Sequence, residues 1–200
     1  MIVLDCNQGE SEWLSARVGI PTSSNFDKII TTKGERSKQY LKYLYTLAGE
    51  RFIGKKEDTF QSLAMQKGIE TEAEARAFYE LTNGVEVIQC GICYSDDKKL
   101  WASSPDGLVG KDGLVEVKCP LLSTQVYYIV EGGLVEDYYQ QLQGQLFVTG
   151  RKWVDIISYY PAMRPVIIRI TPDPKFQKAL AVELEVFVKR LDEITAKLKG

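Results

Sequence analysis

Ser103-Ser104-Pro105-Asp106-Gly107, followed by Leu114-Val115-Glu116-Val117-Lys118-Cys119-Pro120, is the stretch whose reading decides the fold. It reads as two short β-strands joined by the turn Gly110-Lys111-Asp112-Gly113. The first strand is expected to end on the Asp106 carboxylate, and the second carries Glu116 and Lys118 two positions apart. Side chains at i and i+2 of a strand share a face, so Glu116 and Lys118 project together while Val115 and Val117 turn into a core. The hairpin bend is expected to set Asp106 beside Glu116. Two converging carboxylates repel unless a cation lies between them, and hard oxygen donors suit Mg²⁺, with Mn²⁺ as a substitute. The competing reading is a surface hairpin with a Glu–Lys pair on its wet face.

Working outward, composition narrows the chemistry. The chain has 200 residues, 44% hydrophobic and 26% charged, as in ordinary globular domains. That length suits a single domain over 1–200 with one core. There is no histidine, which removes Ser-His triads, Cys-His pairs and His-ligated zinc. Carboxylates, lysines, tyrosines or cysteines must then carry any proton or metal work. No apolar run approaches the roughly 20 residues of a membrane span, and the first residues lack a signal-peptide pattern; the expectation is a cytoplasmic protein. A net charge of −2 and a pI near 5.4 do not mark a nucleic-acid binder by charge alone. Cys90-Gly91-Ile92-Cys93 has metal or redox spacing, but it has no second pair and sits in what reads as a strand, so buried thiols are expected.

Ser11 and Thr22-Ser23-Ser24 read as caps of two short helices, the second over 25–30. Arg17 and Ser24 would flank that second helix's N-terminus, where free N–H groups favour an anion; by residue type alone they are a surface ion pair and a plain cap. The loop 31–36 reads as mobile. A helix over 37–52 is expected to bury Tyr40, Leu41, Leu44, Tyr45 and Leu47. Thr59 can cap a long helix through Leu81, stopped by Asn83-Gly84, with Glu72 near its packed face. Strands are expected over 85–94, 100–103, 114–119, 153–159 and 166–170, and helices over 124–130 and 135–149. The helix over 135–149 sets Gln141 and Gln145 one turn apart beside an apolar stripe. Asp173-Pro174 starts a final helix whose stripe from Phe176 to Leu198 packs on its own sheet or on a neighbouring subunit. The pattern is α/β (or α+β): a central mixed sheet flanked by helices.

Four motifs then fall in order: Gln8-to-Gly19 with Thr22-Ser23-Ser24, Gly68-to-Arg76, Ser103-to-Leu108 with Glu116-to-Pro120, and Tyr139-to-Thr149. Together they resemble the lambda-type exonuclease (YqaJ-type viral recombinase) branch of the PD-(D/E)XK nuclease superfamily, and so imply a restriction-endonuclease-like core. The resemblance implies that Asp106, Glu116 and the Val117 carbonyl hold one Mg²⁺, with Glu72 supporting or bridging a second ion. It implies that Lys118 orients or helps deprotonate the attacking water and that Gln141 positions water or substrate, with Gln143 the alternative register. It assigns Arg17, Ser24 and Ser104 to the 5′-phosphate of the digested strand. The implied activity is Mg²⁺-dependent 5′→3′ digestion of double-stranded DNA ends by a ring-shaped homotrimer, beside a phage single-strand annealing protein in a bacterial host. The alternatives are a RecB-like nuclease of other polarity or endonucleolytic role, and a non-catalytic DNA-end-binding module.

Overall fold

The computed structural model describes residues 1–56 and 63–200, with side chains of the long third helix described from Thr71 onward. In chain order the elements are β1 (Ile2–Leu4), α1 (Ser11–Ala16), a 3₁₀ turn (Ser23–Lys28), α2 (Tyr40–Ile53), α3 (Leu63–Asn83), β2 (Val87–Ile88), β3 (Ile92–Tyr94), β4 (Ala102–Ser103), β5 (Gly107–Val109), β6 (Gly113–Lys118), α4 (Leu122–Val130), α5 (Leu134–Thr149), β7 (Trp153–Ser158), β8 (Val166–Ile170) and α6 (Pro174–Leu198). The expected cap Thr59 lies outside the described residues.

A five-stranded mixed sheet runs β2-β5-β6-β7-β8, and β1-β3-β4 form a separate antiparallel sheet. Within the five-stranded sheet β6 and β7 pair in parallel, and the chain between them supplies α4 and α5. Both faces of β6 are covered, which explains its near-continuous apolar run. Val115 and Val117 pack with Ala75 and Tyr79 of α3. Leu114, on the opposite face, packs with Leu142 and Leu146 of α5. The competing reading of a wet-faced surface hairpin is therefore overturned: Glu116 is only 3% exposed.

Several expectations are corrected. The segment 85–94 is not one strand: β2 and β3 belong to different sheets. The break falls before Gly91, where a Cβ would lie 2.5 Å from the carbonyls of Leu4 and Cys6. β1, which pairs there with β3, is too short to announce itself. Asp106 immediately precedes β5 rather than ending a strand. Ser11 is the first helical residue of α1, after Glu10 at the cap position. On α2, Leu41 and Tyr45 are exposed, whereas Tyr43 and Ala48 join Tyr40, Leu44 and Leu47 in the core. At the end of the loop 31–36, Arg36 pairs with Glu183 of α6 at 3.0 Å.

Asp173 caps α6 as its sequence position predicts, accepting from the Lys175 and Phe176 N–H groups. The α6 stripe settles chiefly on α2: Phe187 meets the Tyr40 ring edge-on, with centroids 5.1 Å apart. Gly144 of α5 allows a close approach. A Cβ there would fall 2.5 Å from the Phe26 ring, so its absence lets the 3₁₀ turn lie against the helix.

Candidate active site

Register places the acidic pair. Gly107 pairs with Val115, so Asp106 stands opposite Glu116. The Val117 N–H donates to Asp106 Oδ2 at 2.7 Å, fixing the carboxylate against the neighbouring strand. Glu116 accepts three side-chain donors. Lys118 Nζ (2.7 Å) and Gln141 Nε2 (2.5 Å) reach its Oε1, and Gln145 Nε2 (2.5 Å) reaches Oε2. Lys118 also lies 3.4 Å from Gln141 Oε1 and 4.5 Å from the centre of the Tyr138 ring.

Burial drives the Asp106 carboxyl well above its ordinary range, and the Glu116 charge pushes it further up, partly offset by Lys118. For Lys118, burial pulls the ammonium down, but Glu116 and Asp106 outweigh it and the net shift is upward. Concentrated negative potential at two converging carboxylates is the environment a hard cation relieves, so the donor set fits a divalent ion. Glu72 is near enough to raise the Asp106 pKa, yet its carboxylate pairs with Arg76 at 3.2 Å. Among the described residues, no cluster of three or more His, Cys, Asp or Glu side chains is gathered for metal binding. Glu72 is thus placed beside the pair rather than within it.

The two glutamine registers are resolved. Gln141 turns to Glu116, whereas Gln143 donates to the Thr171 carbonyl and accepts from the Asp173 N–H, tying α5 to the start of α6. Gln145 went unassigned as a site residue in the sequence. Its one signal was the i, i+4 spacing from Gln141, which puts both amides on one helical face.

Arg17, Ser24 and Ser104 do come together. Arg17 donates to Ser104 Oγ (3.2 Å), Ser24 Oγ (3.2 Å) and Thr22 Oγ1 (3.4 Å), and its guanidinium lies 4.1 Å from the Trp13 ring centre. Trp13 Nε1 also donates to Ser104 Oγ at 3.0 Å. Trp13 and Thr22 join this cluster beyond the three residues expected. Arg17 is no surface ion pair: it is 8% exposed, and among the described residues no carboxylate lies at ion-pairing distance. Its buried Nε lacks a partner, and burial pulls the guanidinium below its usual range. The segment 23–28 is a short 3₁₀ turn without a side-chain cap, so the anion argument rests on Arg17 rather than on a helix dipole. Cys90 and Cys93 are buried free thiols with sulfurs 4.0 Å apart, as expected.

Solved structures share this fold. An alkaline exonuclease (LHK-Exo) from Laribacter hongkongensis superposes with a TM-score of 0.86 at 31% identity, covering 95% of this chain and 96% of its own. The same enzyme in complex with dAMP matches equally. A phage-related exonuclease from Haemophilus somnus 129PT shares the fold, with a TM-score of 0.71 at 14% identity over 90% of this chain and 96% of its own. No curated protein sequence matches. The fold is that of an enzyme, an exonuclease of the phage type. Residues 12–152 match the YqaJ-like viral recombinase domain, and the chain belongs to that family.

Proposed function

We propose that this protein is a Mg²⁺-dependent 5′→3′ exonuclease that degrades one strand of linear double-stranded DNA. The product is a 3′ overhang for recombination by single-strand annealing. The observation that carries the reading is the adjacency of two sites on one short segment. Ser104 belongs to the Arg17 pocket and Asp106 to the acidic pair, two residues apart, a span of at most about 7 Å. An anion pocket that close to the reaction centre suits a terminal phosphate, with the scissile phosphodiester one nucleotide inward.

Asp106, Glu116 and the Val117 carbonyl would hold Mg²⁺, with Glu72 in a supporting position or bridging a second ion; Mn²⁺ should substitute. Bound there, the ion would activate water, neutralise the charge of the transition state and stabilise the leaving oxygen. Lys118 brings a point positive charge to the developing negative charge. Gln141 orients water or substrate, and Arg17, Ser24 and Ser104 hold the 5′-phosphate. Residues 1–200 act as one PD-(D/E)XK nuclease domain within a homotrimeric ring that retains DNA by topology rather than by net charge. Among the described residues no helix is long and apolar enough to cross a membrane, consistent with work in the host cytoplasm beside a single-strand annealing protein.

The test is digestion of linear duplex DNA bearing a 5′-phosphate or a 5′-hydroxyl, with Mg²⁺ or with EDTA. Mg²⁺-dependent release of nucleotides, faster from the phosphorylated end, is expected. No release from either substrate refutes the activity; equal rates refute the phosphate pocket. Light scattering of the purified protein checks the trimer.

A further inference from the structure

The Arg17 pocket is assembled on a loop, Arg17 to Thr22, that has little regular structure of its own. Its middle is Gly19, in a left-handed conformation with φ of +63°. Two consecutive residues of α2 grip the two polar groups of this glycine. Glu50 Oε2 accepts the Gly19 N–H at 2.9 Å, and Arg51 Nε donates to the Gly19 carbonyl at 2.7 Å. The fit is close, because a Cβ on Gly19 would lie 2.1 Å from Arg51 Cγ. Glu50 is itself buried, 8% exposed. Arg51 reaches onward to Asp192 of α6 at 2.5 Å, an ion pair at the protein surface. One residue further along the loop than Ile20 and Pro21, the Thr22 N–H donates to Tyr43 Oη at 3.4 Å, a third hold from α2.

From this geometry we infer that Glu50 and Arg51 are positioning residues that set end specificity. Their hydrogen bonds run to Gly19 and Asp192 rather than to the acidic pair. By fixing both sides of Gly19 they hold Arg17 two residues upstream and Thr22 three residues downstream at the spacing a terminal phosphate requires. Arg17 is held by neutral hydroxyls and the Trp13 ring, with no carboxylate among the described residues at ion-pairing distance, and one of those hydroxyls, Thr22, lies on the same loop and shifts with it. The Glu50 charge also favours the charged Arg17 guanidinium. This inference rests on the phosphate-pocket reading proposed above.

The experiment compares initial rates on 5′-phosphorylated and 5′-hydroxyl duplex ends for the wild type, Glu50→Ala, Glu50→Gln and Arg51→Met. Loss of a buried hydrogen bond at this grip should cut the phosphate preference by about tenfold in Glu50→Ala and Arg51→Met. The rate on hydroxyl ends should stay near wild type. Glu50→Gln keeps an oxygen able to accept the Gly19 N–H, so it should retain much of the preference. A wild type without end preference overturns the pocket and this inference together. A wild-type preference that survives in folded Glu50→Ala or Arg51→Met overturns this inference alone. Equal losses on both ends, the sign of general destabilisation, also overturn it. Should one variant fail to fold by circular dichroism, the other decides.

Discussion

Gln145 and Glu116 are joined by an amide-to-carboxylate hydrogen bond inside the protein, with Gln145 fully buried. The bond fixes the Oε2 side of Glu116 while Lys118 and Gln141 hold the Oε1 side. A carboxylate so constrained presents its oxygens in one orientation.

Replacing Gln145 by Leu keeps the bulk and removes the donor. Partners that orient a metal ligand typically contribute 10–100-fold in affinity or activity. Gln145→Leu should therefore weaken Mn²⁺ binding by about tenfold in calorimetric titration without DNA. Unchanged affinity together with an unchanged rate contradicts the positioning role.

Lys118→Ala should lower cleavage by at least about 100-fold, since in the proposed reaction it removes a charge that faces the transition state. Binding of duplex DNA in EDTA should persist. Lys118→Arg should not rescue, because a planar guanidinium cannot reproduce a compact ammonium held between Glu116 and Tyr138. Retained cleavage by Lys118→Ala excludes the assigned role.

Phe187→Ala opens the contact between α6 and α2, where the ring meets both Tyr40 and Tyr43. A fully buried aromatic of this kind costs about 3–5 kcal/mol on truncation. Denaturant melts should show that loss.

Asp173 gives a pH test. The Phe176 N–H, then the Tyr139 hydroxyl and the Lys175 N–H, stabilise its charged form and lower its pKa from 3.8. A carboxyl depressed in the folded state stabilises the fold above its unfolded pKa, and that contribution is lost as pH falls through the folded value. Wild type should therefore melt above Asp173→Asn at neutral pH, and the gap should close only in acid, below 3.8. A gap independent of pH runs against this account.

Much of this was legible because the informative residues repeat a local rule. The i, i+2 relation of Glu116 and Lys118, the Asp173-Pro174 helix start and the Gln141–Gln145 spacing each follow from backbone periodicity. Burial of Glu116 was not legible, because it depends on α5 returning over the sheet from elsewhere in the chain. The split of 85–94 was hidden for a similar reason: its apolar alternation suits either sheet, and the backbone of Leu4 and Cys6 decides. Leu41 and Tyr45 misled through aromatic and aliphatic character on a helix whose inward face is set by α6. That no carboxylate among the described residues comes within ion-pairing distance of Arg17 is a tertiary fact that no local spacing encodes.

The close seat of Phe26 against Gly144 has a further meaning. It presses the turn bearing Ser24 onto the same helix that carries Gln141 and Gln145. The turn proposed to hold the phosphate and the helix whose amides hold Glu116 are thereby one packed unit. In the proposed reaction the strand end and the bond to be cut would be gauged by a fixed caliper, and each bite would remove the same length of strand.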